Sequence, residues 1–276
     1  MTTEALKTKS ATSWWFRLGT LLIGAYAIWI GLGFLSNAIF GPEYTYAGHA
    51  LRAAGTFALV ALLLTLVLKW EGATAQRYGL LPDRRTPLNV GLGAFGYFLP
   101  FIVTAVVILS LGLATLTITG TPGEVIGQLA AVLVLVLLYE AIPEELIFRG
   151  YFFTLLKERF PTWAAIIGQA VLFCLFGFAI GAAQTPDRLL LFLVLSMFLG
   201  VVRAATGSVF ATIGFHAAFQ TITQPLLGAQ WTAITLDDPE RWFSDLALAL
   251  SPLVLGPVIV ILLAKLWQRK CTMGHI

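Results

Sequence analysis

Apolar runs of bilayer length recur along the whole chain, and no long polar stretch separates them. A helix needs about 20 apolar residues to cross the hydrocarbon core of a bilayer. Inside that core only helices and closed barrels satisfy the backbone. Runs near 14–35, 51–70, 90–113, 126–148, 163–183, 188–205, 207–228 and 245–267 predict eight transmembrane helices. The connections carry proline, glycine and charge: FGPEY, GLLPDRRTP, TGTPGE, KERFPT, QTPDR and LDDPERW. Charged residues make up 11% of the chain, against roughly a quarter in a soluble domain. The expected fold class is therefore all-α, a polytopic membrane helix bundle forming one integral membrane domain over 1–276, with no internal repeat.

The lysines and arginines orient this bundle. With a cytoplasmic N-terminus, that side receives 14 of the 17 basic residues, and the other side receives Arg52, Arg188 and Arg241. The positive-inside rule then predicts both termini in the cytoplasm. Trp14, Trp15, Trp70, Trp163, Trp242 and Trp267 fall near span ends, as an interfacial aromatic belt would. The first run follows a basic stretch but is too long for a signal peptide and lacks a small-residue cleavage site, so it reads as a permanent helix. Cys174 and Cys271 fall far apart in this topology, which predicts no disulfide and no metal cluster. Cys271 is sixth from the end, so CTMGHI is not a prenylation box. The net charge of +3 singles out no partner beyond the lipid bilayer, and no nucleic-acid partner is expected.

The stretch YEAIPEELIFRG, residues 139–150, sets three acids and an arginine at the predicted cytoplasmic end of the fourth span. Glu140 and Glu144 are four apart and share a helix face; Glu145 and Arg149 are four apart and can pair. Pro143 removes a backbone donor, so a kink is expected there. An ionisable group within a span costs about 2.5–3.5 kcal/mol on insertion scales, and Glu140 is the deepest of the set. One reading is a salt-bridged helix end with Arg149 anchored at the lipid headgroups. The other is chemical: adjacent carboxylates in a poorly solvated place disfavour joint ionisation, a property that suits a general base or acid.

His216 lies about nine residues into the predicted seventh span, roughly 13 Å deep. Gln220 and Gln224 follow at i+4 and i+8 on the same face. These three polar groups either fix helix packing by interhelical hydrogen bonds or share a polar site with the glutamates of the fourth span. His49 and His275 are expected to be solvent-exposed.

EELIFRG followed by GSVFATIGFHAAFQ resembles the CPBP family, the CAAX-protease and bacteriocin-processing membrane proteins, over roughly residues 125–228. That family includes the Ras-converting CAAX endopeptidases and the prokaryotic Abi proteins. The resemblance implies an intramembrane glutamic endopeptidase of a bacterial or archaeal membrane, open to the cytoplasm and acting on a peptide or lipidated peptide. By position it makes Glu144 the water-activating acid, Glu145 its neighbour, Arg149 the orienting cation and His216 the oxyanion-site histidine. Gln220 stands where the family has asparagine, one methylene longer. The family's Phe-x-x-x-His of the fifth span lands on Gly177, or on Ile180 if aligned on FGFAI, and that span has no histidine. Gly177 and Gly181 instead make a small-xxx-small pair that allows close helix approach. Gln169 and Cys174 lie near the same face, to hold a water or to pack. No cofactor is expected. A three-ligand zinc site would need two glutamates beside the one deep histidine, so no metal is expected either. Two other classes stay open: a catalytically silent relative acting in binding, immunity or scaffolding, and a proton-coupled transporter, against which the lack of a repeat argues. The sequence leaves substrate identity and oligomeric state open.

Overall fold

The computed structural model describes residues 13–228 and 230–273, and side chains as far as Trp267. Lys7, Lys9 and His275 lie outside the described residues, as do the side chains of Arg269, Lys270 and Cys271. Among the described residues there are eight long helices: α1 (Trp14–Phe40), α2 (Tyr46–Glu71), α3 (Thr86–Ser110), α4 (Pro122–Lys157), α5 (Thr162–Ala179), α6 (Pro186–Thr206), α7 (Val209–Leu227) and α8 (Phe243–Trp267). The fold is an all-α polytopic bundle. Two four-residue strands, β1 (Thr115–Ile118) and β2 (Ile234–Asp237), pair antiparallel with Thr115 opposite Asp237. The sequence reading missed them, because both sit in short polar connections.

Seven of the helices are long and apolar enough to cross a membrane. The exception is α7, whose apolar content is diluted by His216, Gln220, Thr223 and Gln224. Twelve of its 19 residues are buried, so its surface meets other helices rather than lipid. The outer helices show the converse: Ile23, Phe34, Leu62, Val106 and Leu262 are left exposed, as lipid-facing side chains are. The close seating of α7 comes from glycine. A Cβ at Gly93 of α3 would run into the Ala211 carbonyl, and one at Gly214 of α7 into the Val90 carbonyl. With hydrogen at both positions the two backbones touch, the close approach that small residues permit between membrane helices. His216 lies two residues beyond that contact, so its depth and direction follow from it.

The two ends of the bundle are built from different contacts. At one end Trp14 packs on Phe160, Arg77 pairs with Glu158, and Arg85 lies over Trp267. The opposite end carries the α1–α2 turn and the strand pair, and holds Arg52 and Arg241.

Candidate functional site

The fourth span is where the sequence reading needs most correction. It was expected to end near residue 148, with the acids at a membrane face. Instead α4 runs 36 residues to Lys157, about 54 Å at 1.5 Å per residue, well beyond the roughly 30 Å hydrocarbon core. The acids therefore sit near its middle. Pro143 leaves the carbonyl four residues back without its usual donor, and the helix answers with a widened π turn over Leu137–Ala141, where the Ile142 N–H donates to the Leu137 carbonyl five residues back. A second π segment spans Leu146–Phe152. Such turns are rare and concentrate at functional sites. Arg149 is fully buried, which excludes a headgroup anchor.

Helix α7 supplies the partners. Glu140 accepts from Gln220 Nε2 at 2.5 Å and from Gln224 Nε2 at 2.8 Å. The deepest acid thus has an amide on each oxygen, and Thr223 Oγ1 in turn donates to Gln220 Oε1. One turn along, His216 Nδ1 lies 2.9 Å from Glu145 Oε1, and the same oxygen accepts from Arg149 Nη1 at 2.9 Å. An ionised carboxylate only accepts, so Nδ1 is the donor in this contact, and in the neutral ring Nε2 then presents a lone pair. Nε2 faces Glu144 Oε2 at 4.0 Å, too far for a direct hydrogen bond and a separation that one water can bridge. Among the described residues Glu144 makes no hydrogen bond. It is 6% exposed, whereas Glu145 and Arg149 are at 0%, so Glu144 is the one acid of that pair with a path outward. Thus Glu144, Glu145, Arg149 and His216 converge at one point, while Gln220 is turned to Glu140.

The fifth helix fills the space where the resemblance places a histidine. Gly177 is buried, and a Cβ there would strike the Phe192 ring of α6. Phe192 stacks on Phe173 at 5.2 Å, and Phe173 lies under the Arg149 guanidinium at 4.6 Å. The phenylalanine of the Phe-x-x-x-His pattern is therefore present and caps the arginine. Gly181 does not join Gly177 in a packing pair: it lies past the end of α5 at φ +83° with open space around it, in the left-handed region where glycine ends helices. Gln169 hydrogen-bonds the Ile166 and Ser196 carbonyls and accepts from Ser196 Oγ, and Cys174 donates to the Leu189 carbonyl. Both are engaged in packing. Arg203 donates to the Arg149 carbonyl at 3.0 Å, tying α6 to α4.

A second buried ionic cluster escaped the sequence reading. Glu71, at the end of α2, accepts from Arg17 Nε and Nη2, from Tyr78 at 3.0 Å and from Tyr151. Tyr78 and Tyr151 stack at 4.6 Å. Burial, with Glu71 alongside, pushes the Tyr78 hydroxyl up to about 12, so it stays a donor across the physiological range. The only sequence signal was an arginine inside the first apolar run. His49 also differs from expectation. It is half-buried, with its ring 5.5 Å from Tyr139 and Nδ1 3.2 Å from the Tyr44 hydroxyl.

Among the described residues no set of three or more His, Cys, Asp or Glu side chains is arranged to hold a metal ion. The fold and site thus define a class: an integral membrane helix bundle with a buried glutamate–histidine–arginine centre. Residues 126–222 match the family model described as Type II CAAX prenyl endopeptidase Rce1-like. That match runs from α4 into α7 and holds every residue of the centre, so this third of the chain is similar to that family of CAAX proteases. No curated protein matches the chain.

Proposed function

We propose that this chain is an intramembrane endopeptidase of the glutamate type, with Glu144 as the base. The observation that carries the reading is the unbonded Glu144 carboxyl facing His216 Nε2 across 4.0 Å. A water in that gap donates one hydrogen to Glu144 and the other to Nε2, which leaves its oxygen lone pairs free. The oxygen attacks the scissile carbonyl carbon, Glu144 takes the proton, and the same proton passes to the amine nitrogen as the C–N bond breaks. Glu145, clamped by Arg149, fixes the His216 ring through Nδ1. If Nε2 becomes protonated it turns donor to the oxyanion, and Glu145 supports that cation. Gln220 reaches an oxyanion only by releasing Glu140. The substrate is a peptide, lipidated or not, the membrane is a bacterial or archaeal one, and the clustering of basic residues supports cytoplasmic termini.

One observation favours a second reading. The Phe192 ring occupies the space beside Gly177, and a relative without the second histidine there can serve as a silent binding, immunity or scaffold protein. The two readings separate in proteoliposomes, with quenched peptides that carry a prenylated or an unmodified cysteine near their C-terminus. Glu144→Gln should lower cleavage by about 10²–10⁴-fold with an unchanged melting temperature. Full cleavage by Glu144→Gln would sink the glutamate mechanism, and an inert wild-type chain would favour the silent relative.

A further inference from the structure

The end of the bundle that carries the α1–α2 turn holds a cavity of about 230 Å³, lined by Ser36, Glu43, Tyr44, His49, Arg52 and Tyr139 among others. The proposed chemistry uses none of these residues. Arg52 is its cation. One guanidinium nitrogen, Nη2, donates to Asn37 Oδ1 at 2.6 Å, and the buried Nε has no partner. None of the ion pairs among the described residues includes Arg52 or Glu43. The cavity therefore offers one unpaired charge of each sign.

The level of the cavity says what meets it. Tyr44 packs on Tyr46 at 5.6 Å and Tyr46 on Trp231 at 5.5 Å, the kind of aromatic cluster that marks a membrane–water interface. Arg52 lies six residues inside α2, about 9 Å along the helix from its first residue. Glu43 precedes the helix and is exposed. The cation is thus the deeper charge and the acid the outer one. A phosphoglyceride headgroup has the complementary order, with phosphate next to the glycerol and ammonium outermost. An arginine at that depth also needs an anion or a route to water, and a lipid phosphate is the anion at hand.

We propose that this cavity binds a zwitterionic phospholipid headgroup, with its phosphate against Arg52 and its primary ammonium against Glu43. The full chain in detergent can be titrated with dihexanoyl phosphatidylethanolamine, dihexanoyl phosphatidylglycerol or inorganic phosphate. Thermal unfolding reports affinity, and native mass spectrometry counts bound lipids. One phosphatidylethanolamine should bind more tightly than phosphatidylglycerol, and inorganic phosphate should give no comparable shift. Arg52→Gln should weaken lipid binding about tenfold to a hundredfold. Asn37→Ala, which keeps the guanidinium, should retain it. Glu43→Gln should erase the preference for phosphatidylethanolamine and leave phosphatidylglycerol affinity alone. Equal shifts from inorganic phosphate would assign the site to a soluble anion and overturn the proposal. So would unchanged lipid affinity in Arg52→Gln or an unchanged preference in Glu43→Gln. If Arg52→Gln fails to fold, Glu43→Gln, an exposed change, still decides.

Discussion

Two buried carboxylate–guanidinium clusters stand on the same helix bundle and are built to opposite ends. At Glu71 both carboxylate oxygens accept two donors each, from Arg17, Tyr78 and Tyr151. At Glu145 a single oxygen takes Arg149 and His216, while Glu145 Oε2, Arg149 Nε and Arg149 Nη2 are buried with no partner. A satisfied buried network holds a structure rigid, and a partly satisfied one stays costly until a ligand completes it. The first cluster ties α1, α2 and α4 together. The second keeps hydrogen-bonding capacity in reserve next to Glu144. The two clusters differ less in number of charges than in saturation, which is the difference the proposed function uses.

The comparison breaks if Glu71 and Glu144, the acid beside the second cluster, can be exchanged in effect. Glu144→Gln should remove activity and spare the fold, as above. Glu71→Ala should do the reverse. It strands Arg17 in the interior, which costs about 3–5 kcal/mol, read as a large drop in melting temperature in detergent. On the proposed function, the residual folded protein should keep its turnover per molecule. Loss of turnover without loss of stability would make Glu71 part of the chemistry.

The fifth helix sharpens the contrast next. Gly177→His alone should give no gain in cleavage and should lower stability by about 1–3 kcal/mol, the usual cost of overpacking, because the new side chain meets Phe192. Gly177→His with Phe192→Ala opens the space and should raise peptide cleavage above wild type in the proteoliposome assay. A gain from the single change would show that Phe192 yields easily. The smallest effect belongs to the arginine cap. Phe173→Leu removes the ring below Arg149 and should cost about 0.5–2 kcal/mol, with a modest fall in kcat and little change in KM.

The candidate centre was legible because its information is local. Glu144, Glu145 and Arg149 lie within six residues, and the i+4 spacing of His216, Gln220 and Gln224 put them on one face. The apolar runs gave the helices with similar ease. What stayed hidden depends on contacts across the chain. Glu71 finds Arg17 at a separation of 54 residues, and no spacing along the chain links the two. Phe192 was one aromatic among many until α6 laid it against Gly177. The true length of α4 was hidden because a span count stops at about bilayer length, which here falls just before Arg149, and the helix runs on past it. Which amide would serve which acid was also invisible, since a shared face fixes a direction and not a partner.

The π turn over Leu137–Ala141 has one more consequence. A π turn holds one residue more than the helix around it needs, so it acts as a phase shifter: the two halves of α4 are rotated relative to an unbroken helix by about 100°. Deleting a single residue there would leave hydrophobicity and length almost untouched. It would turn everything before it, Val132 and Val136 included, away from the faces they now pack against. The chain therefore carries its site on a helix whose two halves keep separate registers, one for the bundle wall and one for the acids.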